Sequence, residues 1–279
     1  MSQILTIARL TFFEAARRRI LLAALILSAL FLVVYGIGFN YIHLELQTET
    51  GGRFLLMQEI HNFLTLAGLY AVNFLTIMMA GLTSVDTISG EINTGTIQSL
   101  VTKPIRRREV ILGKWLGFMF MLTLYVLLMA GGVQGIVYSL GDYLVTGYWR
   151  GLGLLWLNGV LILSVSFVGG TMLSTLANGV LVFGLFGVAF VGGWIEQIGA
   201  MIENEAAVNI GIVSSLILPG EALWKRAAFE MSSPIVTAMG ISPFTSGQSV
   251  PSPIMVWYAV AYILVMLLWA IRAFSKRDL

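Results

Sequence analysis

The twenty residues ILLAALILSALFLVVYGIGF, Ile20–Phe39, contain no charged side chain and directly follow the arginine run Arg17–Arg19. A helix rises 1.5 Å per residue, so about 20 apolar residues are needed to cross a hydrocarbon layer about 30 Å thick. A backbone in lipid must also satisfy its own hydrogen bonds, and a helix does so. This stretch therefore predicts a membrane-spanning helix with a positively charged end.

Five further segments of comparable length are also free of charge. They are Asn62–Ser84, Trp115–Tyr138, Gly151–Leu176, Gly179–Ile195 and Ile254–Ile271. Of the 279 residues, 58% are hydrophobic and 11% are charged, whereas soluble domains carry roughly 25% charged residues. We therefore predict one all-α integral membrane domain over residues 1–279, with six transmembrane helices. The absence of charge within these spans argues against a proton relay or an ion pathway built from intramembrane carboxylates.

The positive charges are distributed unevenly between the two sides of this topology. If the N-terminus is cytoplasmic, 12 of the 16 Lys and Arg residues lie inside. The other four, on the outside, are Arg53, Arg150, Lys225 and Arg226. Cytoplasmic loops of membrane proteins carry an excess of Lys and Arg. We therefore predict a multi-pass protein with both termini in the cytoplasm.

The fourth and fifth predicted spans are separated by little more than Ala177–Gly179. An Asn-Gly pair tolerates the positive φ of a tight turn, so we predict a close antiparallel helical hairpin with its turn at these residues. The alternative is one long broken helix over Gly151–Ile195.

Residues 2–19 have apolar side chains at helical spacing on one side and polar side chains on the other. The apolar set is Ile4, Leu5, Ala8, Phe12 and Ala15. This pattern predicts an amphipathic helix in the cytoplasmic interface. The alternative is a simple extension of the first span.

Residues 196–253 form the longest segment outside the six spans and contain five of the six prolines. A continuous helix is therefore excluded from the second half of the segment. We predict short helices on the outer side before the sixth span, with Ala206–Leu218 as an interfacial or re-entrant helix. If Ala206–Leu218 were instead part of a seventh span, the C-terminus would lie outside, against the charge distribution.

Several kinds of chemistry find no support in the sequence. There is no cysteine, and the only Gly-Lys pair, Gly113-Lys114, lacks the glycine-rich loop that binds ATP phosphates. The net charge of +2 gives no argument for nucleic acid. His43, His61 and the nearby Met57 do not make a metal site by themselves. Met commonly fills apolar helix surfaces, and two His residues without Cys supply few ligands. We predict neither an enzyme nor a resident metal.

The segment 85–112 is the one cytoplasmic stretch that has the composition of a contact site. Thr94–Leu100 is predicted to form a short helix that ends before Lys103-Pro104. Asp86 and Glu91 are acidic on an otherwise basic side of the membrane. The arginines that follow, Arg106–Arg108, are explained more simply as anchors that contact lipid phosphates.

Across this segment, an acidic residue is followed by Glu, Gly-Thr, a Pro, a basic pair and a Gly-Lys. These are Asp86, Glu91, Gly95-Thr96, Pro104, Arg107-Arg108 and Gly113-Lys114. The pattern resembles the signature of type-2 ATP-binding-cassette (ABC) exporter permeases. The similarity extends to the N-terminal connecting helix, the six spans, the tight turn between the fourth and fifth, and the short outer helices. A shorter stretch, Leu216–Arg226, resembles the NosY-type subgroup, which serves maturation of a copper enzyme.

This resemblance implies a transport subunit of the bacterial inner membrane that works with a separate ATPase subunit and with a second permease copy, usually as a homodimer. The partner ATPase would hold ATP and magnesium and would dock on residues 85–110 and touch residues 2–19. The docking residues carried over are Asp86, Glu91, Thr94, Gly95, Thr96, Leu100, Pro104 and Arg107. A pathway along the second and fifth spans, with Asn73 and Asn158 as nearby buried amides, is a further expectation. The alternative function is a non-transporting scaffold or accessory subunit of a membrane complex.

Overall fold

The computed structural model describes residues 3–49, 54–93, 106–233 and 250–277, and every regular element among them is an α-helix. The helices, in chain order, are α1 Gln3–Ala16, α2 Arg19–Glu49, α3 Phe54–Asn93, α4 Arg107–Gly141, α5 Tyr148–Met172, α6 Thr175–Met201, α7 Glu205–Ile217, α8 Gly220–Met231 and α9 Ile254–Lys276.

Six of these helices are long and apolar enough to cross a membrane: α2, α3, α4, α5, α6 and α9. Five of them contain a whole predicted span, whereas the predicted Gly151–Leu176 runs past the end of α5 at Met172. The all-α membrane architecture is confirmed. Several extend well past the hydrocarbon layer. The 40 residues of α3 correspond to roughly 60 Å of helix, about twice the thickness that has to be crossed.

The centre of the bundle is α5, which contacts α3, α4, α6, α8 and α9. Small residues let these neighbours approach closely. A Cβ added at Gly159 would lie 2.7 Å from a methyl group of Leu122 on α4 and 2.9 Å from Thr76 on α3. By contrast, α2 and α9 have most of their apolar surface exposed, as expected for helices that face lipid.

The turn between α5 and α6 lies at Leu173-Ser174, not at Ala177–Gly179 as the sequence predicted. Ser174 caps α6, its hydroxyl accepting a hydrogen bond from the backbone N–H of Ala177 at 3.5 Å. Serine is a favoured N-cap because its oxygen satisfies an otherwise unpaired backbone donor. The predicted turn residues are therefore already helical.

The hairpin itself is confirmed, because its two helices contact neighbouring residues of α8, Gly220 and Glu221. A Cβ on Gly220 would lie 2.9 Å from Oδ1 of Asn158 on α5, and one on Gly193 of α6 would lie 3.0 Å from Cβ of Glu221. One long broken helix would not bring residues 158 and 193 to adjacent positions. The turn Leu173-Ser174 marks one end of the bundle, here called the terminal side; the opposite end is the far side.

The N-terminal helix α1 is separate from α2, with a break at Arg17-Arg18. It is therefore not a simple extension of the first span. Its buried face lies against α4, where a Cβ on Gly117 would come within 2.6 Å of the Ala8 carbonyl oxygen. Leu10 and Phe13 on the other face are exposed. The interfacial placement of this helix stays a prediction.

Two short helices, α7 and α8, precede α9 and are bent by 105° relative to each other. Helix α7 begins at Glu205, directly after the far-side end of α6. Helix α8 starts at Gly220 beside Asn158 and ends at Met231, whose side chain touches the position of Gly151 at the far-side end of α5. The chain thus enters the bundle from the far side and returns to it, as a re-entrant pair rather than a seventh span.

Candidate functional site

The terminal side of the bundle brings together the ends of the segment predicted to dock a partner. Helix α3 continues to Asn93 and α4 begins at Arg107, so the interval between these helices is shorter than the predicted 85–112. Residues 94–105 lie outside the described part of the chain, and with them the predicted docking residues Thr94, Gly95, Thr96, Leu100 and Pro104.

Glu91 and Lys114 link the last turns of α3 to the second turn of α4. The Lys114 ammonium donates to Oε1 of Glu91, and their side chains are only 5% and 14% exposed. A buried charge is tolerated only when an opposite charge compensates it. The ion pair therefore clamps the two helices from which the interval 94–105 emerges.

Asp86 is exposed to solvent and also reaches α6. Its Oδ1 accepts a hydrogen bond from the Thr175 hydroxyl at 3.0 Å, and Ser89 lies 2.9 Å from the same hydroxyl. Thr175 is the first residue of α6. The carboxylate thus ties α3 to the beginning of α6, where a negative charge complements the helix dipole.

Asn178, which the sequence placed in a turn, joins three helices instead. Its side chain is fully buried. Its amide nitrogen donates to the carbonyl oxygen of Val85 on α3 at 3.1 Å and to that of Ser166 on α5 at 3.0 Å. A buried amide needs partners of this kind. Asn178 therefore fixes α6 to both neighbours directly beneath Asp86.

Arg107 is engaged at the end of α9. Its guanidinium donates to the backbone carbonyls of Phe274, Ser275 and Arg277. The last carbonyls of a helix have no partner within the helix, and a basic side chain can satisfy them. Arg107 thus fastens the start of α4 to the C-terminal end of α9.

The two candidate pathway amides contact each other. Nδ2 of Asn158 donates to Oδ1 of Asn73 at 2.9 Å, and the two residues are 1% and 2% exposed. Both amides therefore face protein. They tie α3 to α5 and line no open channel in this conformation.

The far-side histidines also pair with each other. Nδ1 of His43 and Nε2 of His61 lie 3.0 Å apart, and Gln47 contacts the other nitrogen of His43 at 2.8 Å. Within the described ranges, no three His, Asp or Glu side chains come together as metal ligands would.

Three residues that shape the site were not singled out for it from sequence. Lys114 and Asn178 are a charge and an amide at the edges of apolar blocks, where a polar group requires a buried partner. Thr175 follows a serine that caps a helix. The first two signals are present in the sequence, but they do not say which helix supplies the partner.

Comparison with protein families matches residues 5–279 to the family described as ABC-2 family transporter protein. The chain belongs to the ABC-2 family. It is also 27% identical over 292 residues, covering 99% of both chains, to the probable ABC transporter permease protein NosY of Stutzerimonas stutzeri. This ABC-2 protein is thus a multi-pass membrane subunit of an ABC transporter, a class of permease whose members work with an ATPase partner. The resemblance drawn from the 85–112 segment is confirmed at the level of the family.

Proposed function

We propose that this chain is the permease of an ABC exporter of the bacterial inner membrane, with both termini in the cytoplasm. Substrate crosses the membrane with energy from ATP, which is hydrolysed with magnesium by a separate ATPase subunit docked on residues 85–110. A second copy of the chain completes the transporter as a homodimer.

The observation that carries the proposal is the clamp at the two ends of the docking segment. Glu91 and Lys114 hold α3 to α4, and Asp86 holds α3 to α6 through Thr175. Any force applied to residues 94–105 is therefore delivered to three spans together. A loop with free ends would absorb the same force without moving the helices.

The arrangement of the ends supports a cytoplasmic terminal side. Helix α1, the docking segment and the end of α9 meet at the same end of the bundle, through contacts of α1 with α4 and of Arg107 with α9. Three of the four Lys and Arg residues predicted outside, Arg150, Lys225 and Arg226, belong to far-side helices. The positive-inside tendency then assigns the terminal side to the cytoplasm.

The surface of α6 supports pairing with a second copy. A Cβ added at Gly184 or Gly187 would meet nothing within 4 Å. Small residues on an open face allow another helix to approach closely, and a second protomer would supply that helix.

The test is capture of the tagged, detergent-solubilised chain from its native membrane, with ATP hydrolysis measured in the eluate. We expect a stoichiometric ATPase. It should be lost on Leu100→Asp or on deletion of residues 94–100, and kept in Thr146→Asp, an exposed change on the far side.

Glu91→Ala is less diagnostic alone, because Glu91 also forms the internal ion pair with Lys114. Lys114→Met is its matched control: equal loss of ATPase in both variants means that Glu91 acts by holding the helices, not by touching the partner. A chain that elutes without ATPase in several detergents, or whose ATPase survives Leu100→Asp and the deletion, would overturn the docking assignment and favour a non-transporting scaffold.

A further inference from the structure

The re-entrant pair α7–α8 encloses a second group of charges on the far side. Helix α8 is buried along most of its length, from Gly220 at the inner tip to Met231. Asn158, against which the tip lies, is ten residues from the start of α5, or roughly 15 Å along the helix. Glu221, next to this tip and 5% exposed, therefore lies well inside the protein.

The far-side cluster consists of Glu196 on α6 with Glu221 and Lys225 on α8. Nζ of Lys225 lies 2.9 Å from Oε2 of Glu196, and their side chains are 12% and 6% exposed. Glu221 is 5% exposed and packs against Gly193 of α6. The Lys225 ammonium is thus paired with Glu196, and Glu221 is a second buried carboxyl beside this pair. A buried second anion is tolerated poorly unless it takes a proton.

Among the described residues, the other helices around α8 bring no second cation to this place. Tyr70 of α3 packs against Trp224, with ring centroids 4.9 Å apart. Arg150 of α5 and Arg226 of α8 pair with Glu230 at the far end of α8, and Glu59 of α3 accepts a hydrogen bond from Ser233 there. The other titratable groups on the described far-side segments around α8 are His61, Tyr143, Tyr148, Glu203, Glu205, Tyr258 and Tyr262.

We propose that the Glu221 carboxyl is a proton-binding switch that keeps the re-entrant pair closed when it is neutral and releases α8 from α6 when it is ionised. Burial raises the pKa of Glu221 to about 7, Glu196 also raises it, and Lys225 opposes both. The neutral acid suits the enclosed position, whereas the ionised acid is stabilised by water, which reaches it only when α8 separates from Gly193.

Contacts with α6 distinguish the two helices of the pair. Helix α7 is interlocked with α6: a Cβ on Gly211 would lie 2.2 Å from Cβ of Glu196, and one on Gly192 would meet Ser214. Helix α8 follows the 105° bend and faces α6 through Glu221. On opening, α8 would therefore move away from α6 while α7 stays in place, with the hinge at Pro219 between them.

The switch would control the far-side exit of the proposed permease, but its test needs no partner. The chain has no cysteine, so Ser215→Cys introduces a single thiol at a buried position of nearly the same size. Labelling by a polar maleimide is compared at pH 6 and pH 8, relative to Ala206→Cys, which is exposed. Both thiols ionise more as pH rises, so dividing the labelling rate of Ser215→Cys by that of Ala206→Cys removes this effect.

We expect the ratio to rise by about tenfold from pH 6 to pH 8, following the ionised fraction of an acid with a pKa of about 7. In the Glu221→Gln background it should stay low at both values. If Ser215→Cys does not fold, amide hydrogen exchange of residues 220–231 in the unaltered chain, corrected for the intrinsic pH effect, gives the same comparison.

A ratio that does not change with pH, or that changes equally in Glu221→Gln, would overturn the switch. A pH-dependent ratio that Glu221→Gln abolishes, in a chain that captures no ATPase, would uphold the switch and reject the proposed docking. The two proposals therefore fail separately.

Discussion

The terminal side and the far side each hold two carboxylates and one ammonium between helices, but the two groups differ in their exposure to solvent. On the terminal side, Glu91 has Lys114 as a matched partner, and Asp86 has the hydroxyl of Thr175. On the far side, Lys225 pairs with Glu196, and Glu221 is buried beside them. The exposed Asp86 is in contact with water and needs no countercharge, whereas the buried Glu221 is accommodated most easily when it holds a proton.

This difference separates a joint from a switch. A buried ion pair that is fully compensated has one favourable state, and it fixes the geometry of the helices that carry it. An uncompensated acid has two states, whose relative free energies depend on pH. We therefore expect the terminal side to transmit motion as a rigid unit and the far side to respond to its surroundings.

The largest expected effect comes from removing one partner of the terminal-side pair. Lys114→Met removes from Glu91 the ammonium with which it forms a largely buried ion pair, and breaking such a pair on one side typically destabilises a protein by about 3 to 5 kcal/mol. Thermal unfolding in detergent should show a clear fall in the midpoint. Arg108→Met, an exposed change six residues earlier on the same helix, should leave it nearly unchanged.

The double variant Glu91→Leu with Lys114→Met sharpens this result. Replacing both members of a buried pair by apolar residues is often neutral, so most of the lost stability should return. A double variant as unstable as Lys114→Met alone would contradict the view that the pair acts through charge compensation.

Next in size is the pH dependence that Glu221 gives to stability. Its pKa is raised by burial from 4.5 to about 7, so between these values the folded chain binds a proton that the unfolded chain has released. Stability therefore falls as pH rises through this window and levels off above pH 7, by about 3 kcal/mol in all. Unfolding midpoints at pH 5 to 8 measure it. Glu221→Gln should flatten this slope, and Glu205→Gln, on an exposed residue, should not.

Apolar length was sufficient to locate all six spans, because crossing lipid imposes the same requirement on each of them. Span ends were less predictable. Glu196 lies one residue beyond the predicted fifth span and Lys114 one residue before the third, yet both are buried. Their partners come from other helices, and sequence spacing does not reveal such pairings. The Asn178 turn was wrong because the capping preference of Ser174 and the buried amide of Asn178 outweighed the turn propensity of Asn-Gly.

A smaller effect is expected where α1 lies against α4. A Cβ on Gly117 would come within 2.6 Å of a backbone oxygen of α1, so Gly117→Ala should push α1 away, at about 1 to 3 kcal/mol. Gly131→Ala, on the same helix with nothing within 4 Å, is the matched control. Protease sensitivity of residues 2–19 should increase only in the first variant. Equal sensitivity in both would mean that α1 is not held by this contact.

A change in stability of similar size tests whether Asn178 only holds the terminal-side helices together or also transmits motion between them. Asn178→Leu keeps the approximate volume but removes the hydrogen bonds to Val85 and Ser166, each contributing about 0.5 to 1.5 kcal/mol. Leu176→Ala, 80% exposed on the same turn of α6, is the control. If Asn178 transmits motion from the docking segment, the variant should still capture the ATPase while its substrate-dependent stimulation falls more than stability explains. Unchanged stimulation would leave Asn178 a purely structural residue, and transmission would then depend on Asp86 and Thr175, which Thr175→Val tests in the same assay.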